Sequence, residues 1–274
     1  MNFPFINNWQ MRHSVQLGVK GLLLDVQGTL VKRGEGGRNV LIGGKRLLQV
    51  ARSKGIAIRV LTNASRSNSA VLRELVELGL ELREGEVISA AELTAAYLRE
   101  RMGSARVWVL GEPELVEVLK SYGHEVIEER PDAVVVGLDR TLTYDKLNRA
   151  LQLLRQGALL VGCHASRRIP GSGGETLSVG PIVKALEYAS ETKAIVIGKP
   201  SKIMFRAALR DMGLKAMEVA MVSDELRSDL GPAKSLGMKA VLTLTGVSSR
   251  EDVHRLGIVP DLIVENVDDL ADHL

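Results

Sequence analysis

From Gly21 almost to the C-terminus, short runs of β-branched and aliphatic residues alternate with stretches of helical periodicity. Gly21–Val26 (GLLLDV) reads as a buried strand, 43–53 as a helix closed by Gly55, and Ile56–Leu61 (IAIRVL) as a second strand. Helices follow over 69–78, with Gly79 behind it, and over 89–102, with Gly103 behind it. Runs of consecutive apolar residues bury both faces of a strand, as parallel strands under helical layers do. Alternation of strand and helix implies crossover connections, and therefore a parallel sheet with helices on both faces. The expected class is α/β, with a Rossmann-like parallel-sheet core.

A second series starts near residue 105. Strands are expected at 105–110, 133–136 and 158–163, and helices at 113–121, 144–156 and 181–189, with a Gly-rich loop over 170–174. The first pattern then resumes, with strands at 194–197, 219–222, 240–244 and 263–264 and helices at 201–212 and 228–236. No repeat and no low-complexity linker separates the series. The chain therefore reads as one sheet domain, residues 1–85 and 192–274, interrupted by an inserted α/β domain over 86–191. A length of 274 residues suits two units of this kind.

Composition removes several alternatives. Lys and Arg total 36 against 33 Asp and Glu, and aromatic residues are 3%. Neither the charge excess nor the stacking surface of a nucleic-acid binder is present. No apolar run approaches the roughly 18 residues of a membrane span, and residues 1–20 lack the pattern of a signal peptide. The single Cys163 excludes an internal disulfide and a cysteine metal cluster. A cytoplasmic protein without nucleic-acid or membrane partners is expected.

In open α/β sheets, ligands bind at the carboxyl ends of the strands. Asp25 ends the first strand and is followed by Val26-Gln27-Gly28-Thr29. Thr62-Asn63 ends the second, Lys199 follows the strand at 194–197, Asp224 follows 219–222, and Asp229 lies five residues further on. Asp25 and Asp224 can hold a hard cation such as Mg²⁺ through oxygen. Lys199 and the amides near Thr62-Asn63 suit a phosphate. An Asp can attack phosphorus to give an aspartyl-phosphate. Taken singly, each feature is ordinary: an Asp after a strand usually caps a helix or makes a turn, and Lys199-Pro200-Ser201 can be a plain helix entry. Four such features at four strand ends, in this order, are much harder to assign to chance.

These segments, DVQGTL from Asp25, LTN from Leu61, GKPS from Gly198, and Ser223-Asp224 through Asp229, resemble the four motifs of the haloacid dehalogenase superfamily. The stretch Val135–Asp139, the Gly-rich loop and Val183–Tyr188 resemble the C2-type cap of its subclass IIA, the NagD-like phosphatases. The resemblance covers nearly the whole chain. It implies a Mg²⁺-dependent phosphohydrolase with Asp25 as nucleophile. Asp25, the main-chain carbonyl of Gln27 and Asp224 would hold Mg²⁺, supported by Asp229. Thr62, Asn63 and Lys199 would bind the phosphate of a small phosphorylated substrate. The inserted cap would select the substrate, with His164 facing it, and would carry a homodimer contact.

One position departs from that pattern. Phosphatases of the superfamily usually carry a second Asp two residues after the nucleophile, which protonates the leaving group and then activates water. Here the residue is Gln27, which cannot transfer a proton. General acid–base catalysis contributes about 10²–10⁴-fold, so substrates with stable leaving groups are expected: pyrophosphate, acyl or aryl phosphates, or P–N bonds. The group of the same subclass formed by the phospholysine phosphohistidine inorganic pyrophosphate phosphatases and the haloacid dehalogenase-like hydrolase domain-containing proteins 2 also lacks that Asp, having Ser there. The segment 157–200, with His164, is similar to its cap. Two other outcomes stay open: a protein that binds a phosphate ligand or a partner with little chemistry, and one that stalls at phospho-Asp25.

Remaining signals are weaker. Cys163 and His164 are neighbours on an expected strand, so they face opposite sides and cannot form a thiol dyad. Arg167 and Arg168 can meet an anionic substrate or simply be solvated. Gly171-Ser172-Gly173-Gly174 lacks the full dinucleotide pattern and reads as a turn in the cap.

Overall fold

The computed structural model describes residues 16–171 and 174–274. Most of the segment 1–18, and Ser172 and Gly173 of the Gly-rich loop, therefore lie outside the described residues. Among the described residues there are two parallel sheets. The larger has six strands in the order Leu262–Val264, Lys239–Thr243, Val219–Ser223, Gly21–Asp25, Ala57–Thr62 and Val87–Ser89. The smaller has five, in the order Ile195–Val196, Leu159–Gly162, Ala133–Val136, Arg106–Leu110 and Glu125–Val126.

Gly21–Asp25 lies at the centre of the larger sheet and is buried throughout. Side chains alternate across a strand, and here both faces are apolar. Leu22 and Leu24 join Val60 and Val222 in one cluster, under the helices Lys45–Ser53 and Asn68–Glu77. Leu23 joins Leu61, Met221 and Phe205 in another, on the side of the helix Lys202–Met212. The smaller sheet is built the same way, with Val135 and Val161 on one face and Trp108, Val134 and Leu160 on the other. This two-sided burial is why the strands appear in the sequence as unbroken apolar runs.

The sheets divide the chain slightly differently from the expected 86–191. Val87–Ser89 pairs with Ala57–Thr62 in the larger sheet, and Ile195–Val196 pairs with Leu159–Gly162 in the smaller one. The outward crossing is made by the helix Ala90–Met102, and the return runs through 197–201 into the next helix. Val87–Ser89 is too short to show a period, and the pattern of Ile195–Val196 is the same whichever sheet receives it. Two antiparallel hairpins were not expected: Val31–Arg33 with Asn39–Leu41, and Arg168–Gly171 with Gly174–Leu177. The second occupies the segment expected to be a loop. Among the described residues, no helix is long and apolar enough to cross a membrane.

The carboxyl ends of the two sheets face each other. Gly198 N donates to Cys163 O at 2.6 Å, and Ala165 N to Lys199 O at 3.2 Å. Asn63 Nδ2 reaches across to Ser166 Oγ at 2.9 Å. Leu23 is fully buried in the cluster beneath this junction. Leu23→Ala should lower unfolding stability by about 2–5 kcal/mol, read from the shift of the urea unfolding midpoint.

Candidate active site

Asp25, Asp224, Asp229 and Lys199 come together at the carboxyl end of the larger sheet. All four are buried, with at most 7% of each residue exposed. The Lys199 ammonium forms an ion pair with Asp25 Oδ1 and a second with Asp229 Oδ2 at 2.9 Å. Ser223 Oγ donates to the same Asp229 oxygen at 2.6 Å, and Ser228 Oγ to Asp229 Oδ1 at 3.1 Å. Asp229 lies in the single wide turn Leu226–Leu230, immediately before the short helix Gly231–Lys234, rather than in the first turn of one helix over 228–236.

Asp224 is held from three sides. Val247 N donates to its Oδ2 at 2.7 Å, its own N donates to Thr29 Oγ1 at 3.1 Å, and that hydroxyl lies 3.4 Å from Asp224 Oδ1. Two glycines make this approach possible. A Cβ on Gly28 would lie 2.2 Å from Asp224 Oδ2, and one on Gly246 would lie 2.0 Å from it. Gly28 also has φ +81°, a conformation that side chains disfavour. Thr29, Ser223, Ser228 and the 245–248 loop are parts of the site that sequence reasoning did not assign. Ser and Thr beside the motif acids were visible, but the 245–248 loop carried no signal.

Three buried carboxylates face one ammonium. Burial raises the Asp25 pKa to about 8; Lys199 opposes the shift, and Asp229 and Asp224 add to it. Burial also raises Asp224 to about 6, against the hydrogen bond from Val247 N. Burial would lower the Lys199 pKa, but Asp229 and Asp25 outweigh it and keep the ammonium protonated. The cluster thus carries excess negative charge, which a hard divalent cation would neutralise. Among the described residues, no three His, Cys, Asp or Glu side chains form a metal-binding group. A hard cation does not require three, because backbone carbonyls and water complete its oxygen shell.

The remaining expected residues divide into two groups. Asn63 sits at the junction: Lys199 N donates to its Oδ1 at 2.9 Å, and its Nδ2 donates to Lys199 O at 3.1 Å and to Ser166 Oγ. Thr62 is buried, and its Oγ1 accepts from Ala64 N at 3.2 Å. His164 is buried on the inserted unit, where its Nδ1 accepts from Ser166 N at 3.3 Å. Burial, with the nearby Lys199 charge, lowers its pKa to about 3. The Gln27 side chain is exposed; its Nε2 donates to Asn39 Oδ1 at 3.0 Å. Asn39 in turn donates to Glu74 Oε1 at 2.7 Å. Cys163 is buried, and burial raises its thiol pKa to about 12, so it is inert.

Two predictions follow from this packing. Gly246→Ala should displace Asp224, because the new Cβ has no room, and reduce phosphate release by about 10²-fold, measured with 4-nitrophenyl phosphate. His164 should make stability depend on acid. Its folded pKa lies below the unfolded value, so as pH falls from 6.5 toward 3 the unfolded chain gains a proton that the folded chain refuses. Wild type should therefore lose stability relative to His164→Asn across that window, by up to about 1.4 kcal/mol per pH unit, read from urea midpoints at each pH.

The haloacid dehalogenase-like hydrolase sequence pattern matches residues 22–125, and a second pattern of HAD-hydrolase-like proteins matches residues 196–270. The sugar-phosphatase AraL of Bacillus subtilis is 32% identical over 263 residues, covering 94% of each chain. The phospholysine phosphohistidine inorganic pyrophosphate phosphatase of Bos taurus is 32% identical over 261 residues, again covering 94% of each. Among solved structures, a 4-nitrophenylphosphatase from Thermotoga maritima superimposes with TM-score 0.85 at 31% identity, over 94% of this chain and 98% of that one. NagD from E. coli K-12 does so with TM-score 0.81 at 26% identity, over 92% and 98%. With the motif acids and Lys199 gathered at one sheet edge, and relatives aligned over almost the full length, the chain belongs to the haloacid dehalogenase-like hydrolases, in the NagD-like branch of phosphatases.

Proposed function

We propose that this phosphatase is Mg²⁺-dependent and works through a phospho-enzyme at Asp25, on small phosphorylated compounds whose leaving groups need no proton from the protein. Asp25 and Asp224, with the main-chain carbonyl of Gln27, would hold the cation, and Asp229 would support them. Bound there, Mg²⁺ would supply charge neutralisation for the transferring phosphate. Lys199 keeps its charge beside Asp25 and would hold the phosphate oxygens. Thr62 would contribute to the same grip. Asn63 fixes the Lys199 peptide and would do so while joining the two units. In the first step an Asp25 carboxylate oxygen bonds to phosphorus and the bond to the leaving group breaks; in the second, water attacks phosphorus and frees Asp25.

The observation that carries the substrate class is the placement of Gln27. An amide cannot shuttle a proton, and this one is bonded to Asn39 outside the acid cluster. Alkyl phosphates would therefore leave slowly, whereas aryl and acyl phosphates, pyrophosphate and P–N compounds would not. Similar proteins named for 4-nitrophenyl phosphate and for pyrophosphate fit this class. A Gln can still orient water, as in GTPases. His164, neutral and at the junction, would face the leaving group from the cap.

The same lack of a proton donor favours one other reading, a protein that binds phosphate compounds and turns over little. Phosphate release with Mg²⁺ from 4-nitrophenyl phosphate, pyrophosphate, a phosphoramidate and a sugar phosphate separates the two. We expect turnover of the first three, little of the last, gain of the last by Gln27→Asp, and loss of all by Asp25→Asn. Full activity in Asp25→Asn overturns the nucleophile. A silent wild type revived by Gln27→Asp favours the binding protein. A homodimer through the cap belongs to the same proposal, and light scattering should then give twice the 29.8 kDa of one chain.

A further inference from the structure

A groove of about 750 Å³ runs between the helices Ala90–Met102 and Lys202–Met212, on the outside of the junction between the two units. One helix turns its inner face, Ala91, Ala95 and Leu98, into the inserted unit; the other buries Met204, Phe205 and Ala208 in the core. The faces left between them are unlike both. Tyr97, Ile203 and Leu209 form an apolar floor, and Arg101, Arg206 and Arg210 stand along its sides with a single carboxylate, Glu100. None of these residues belongs to the acid cluster.

The arginines of the groove have no carboxylate partner, a condition that Arg38, Arg73, Arg155 and Arg227 share elsewhere among the described residues; here three of them line one groove. Arg46, Arg52, Arg59, Arg66 and Arg106 each hold a carboxylate. Among the described residues, Arg206 and Arg210 form no ion pair and no side-chain hydrogen bond, and Arg101 meets only the Tyr97 hydroxyl, at 3.4 Å. Arg206 and Arg210 are one turn apart on one helix and so share a face, and Arg101 approaches from the other. Three guanidiniums against one carboxylate complement a ligand with more than one negative charge, and planar guanidinium groups bind phosphate through paired hydrogen bonds. An inorganic anion would leave the Tyr97–Ile203–Leu209 floor bare. The volume is that of a small-molecule site, and a flat ring fits the Tyr97 face.

We infer that this groove is a second ligand site, distinct from the Asp25 centre, and that it takes a nucleoside diphosphate, with the base on the apolar floor and the phosphates among Arg101, Arg206 and Arg210. The ligand would touch both units at once. It would also contact the helix that begins three residues after Lys199.

The test is calorimetry of ADP with the full-length protein in EDTA at low salt, comparing wild type, the double variant Arg206→Glu/Arg210→Glu, and Tyr97→Ala. Arg206 and Arg210 are exposed, Tyr97 is half-buried against the inserted unit's apolar cluster, and none touches the acids, so 4-nitrophenyl phosphate hydrolysis by each variant should stay within about twofold of wild type. The expected result is saturable binding of ADP by wild type, weakened with added KCl and at least tenfold weaker in the double variant. Tyr97→Ala should weaken ADP but not inorganic pyrophosphate. No binding of ADP by wild type overturns the site. Binding unchanged in the double variant places ADP at the Asp25 centre instead, and equal affinity for pyrophosphate and ADP in wild type removes the base from the floor.

Discussion

An ammonium group shared between two buried carboxylates is the contact on which this structure turns. Removing charges from water costs several kcal/mol per ion even after the surroundings relax. Asp25, Asp224 and Asp229 all bear that cost within one small volume, and Lys199 alone offsets it from within the protein. Every nearby polar feature serves the same end. Ser223 and Ser228 donate to Asp229, and Val247 N donates to Asp224. Gly28 and Gly246 leave room for the Asp224 carboxylate that any Cβ would take. Held at close quarters, these like charges leave the cluster with negative charge that Lys199 balances only in part.

The second unit takes part in holding that arrangement. Asn63 uses both atoms of its side-chain amide, gripping the Lys199 peptide with one and reaching Ser166 with the other in addition. One residue thus ties the Lys199 backbone to the inserted unit. His164 lies on the same segment and stays neutral because a buried imidazole beside an ammonium cannot accept a second charge. A neutral ring can offer an acceptor or a donor to a bound compound without competing with Lys199 for its phosphate.

The acids were legible in the sequence because strand ends are marked by chemistry. Apolar runs that stop at Asp25 and beside Asp224 can be placed at one sheet edge from the parallel topology alone, whereas Lys199 reaches that edge from a strand of the other sheet. The sheets were legible for the same reason, two-sided burial of runs such as Ala133–Val136. What escaped had no period to read. Val87–Ser89 and Glu125–Val126 are too short, the hairpin after Thr29 is half exposed, and the helix Arg250–Leu256 has a single buried residue, Val253. The direction of the Gln27 side chain was out of reach as well, because it depends on Asn39, a partner supplied by that unseen hairpin. The changeover of Ile195–Val196 to the smaller sheet was a choice between two edges that local pattern cannot distinguish.

The pairing of Asp25 with Lys199 joins residues 174 positions apart, and the pairing of Lys199 with Asp229 another 30. During synthesis the chain lengthens from the N-terminus at about 5–20 residues per second, so Asp25 is made roughly ten seconds or more before its counterion. In that interval the first strand lacks its neighbour Val219–Ser223, and its terminal acid has no reason to leave water. The inserted unit, by contrast, has all five strands of its parallel sheet between residues 106 and 196 and two apolar clusters of its own. Assembly from the middle outward is therefore the order the topology favours. The newborn core would wait, open along its central strand, until the last quarter of the chain arrives to close it.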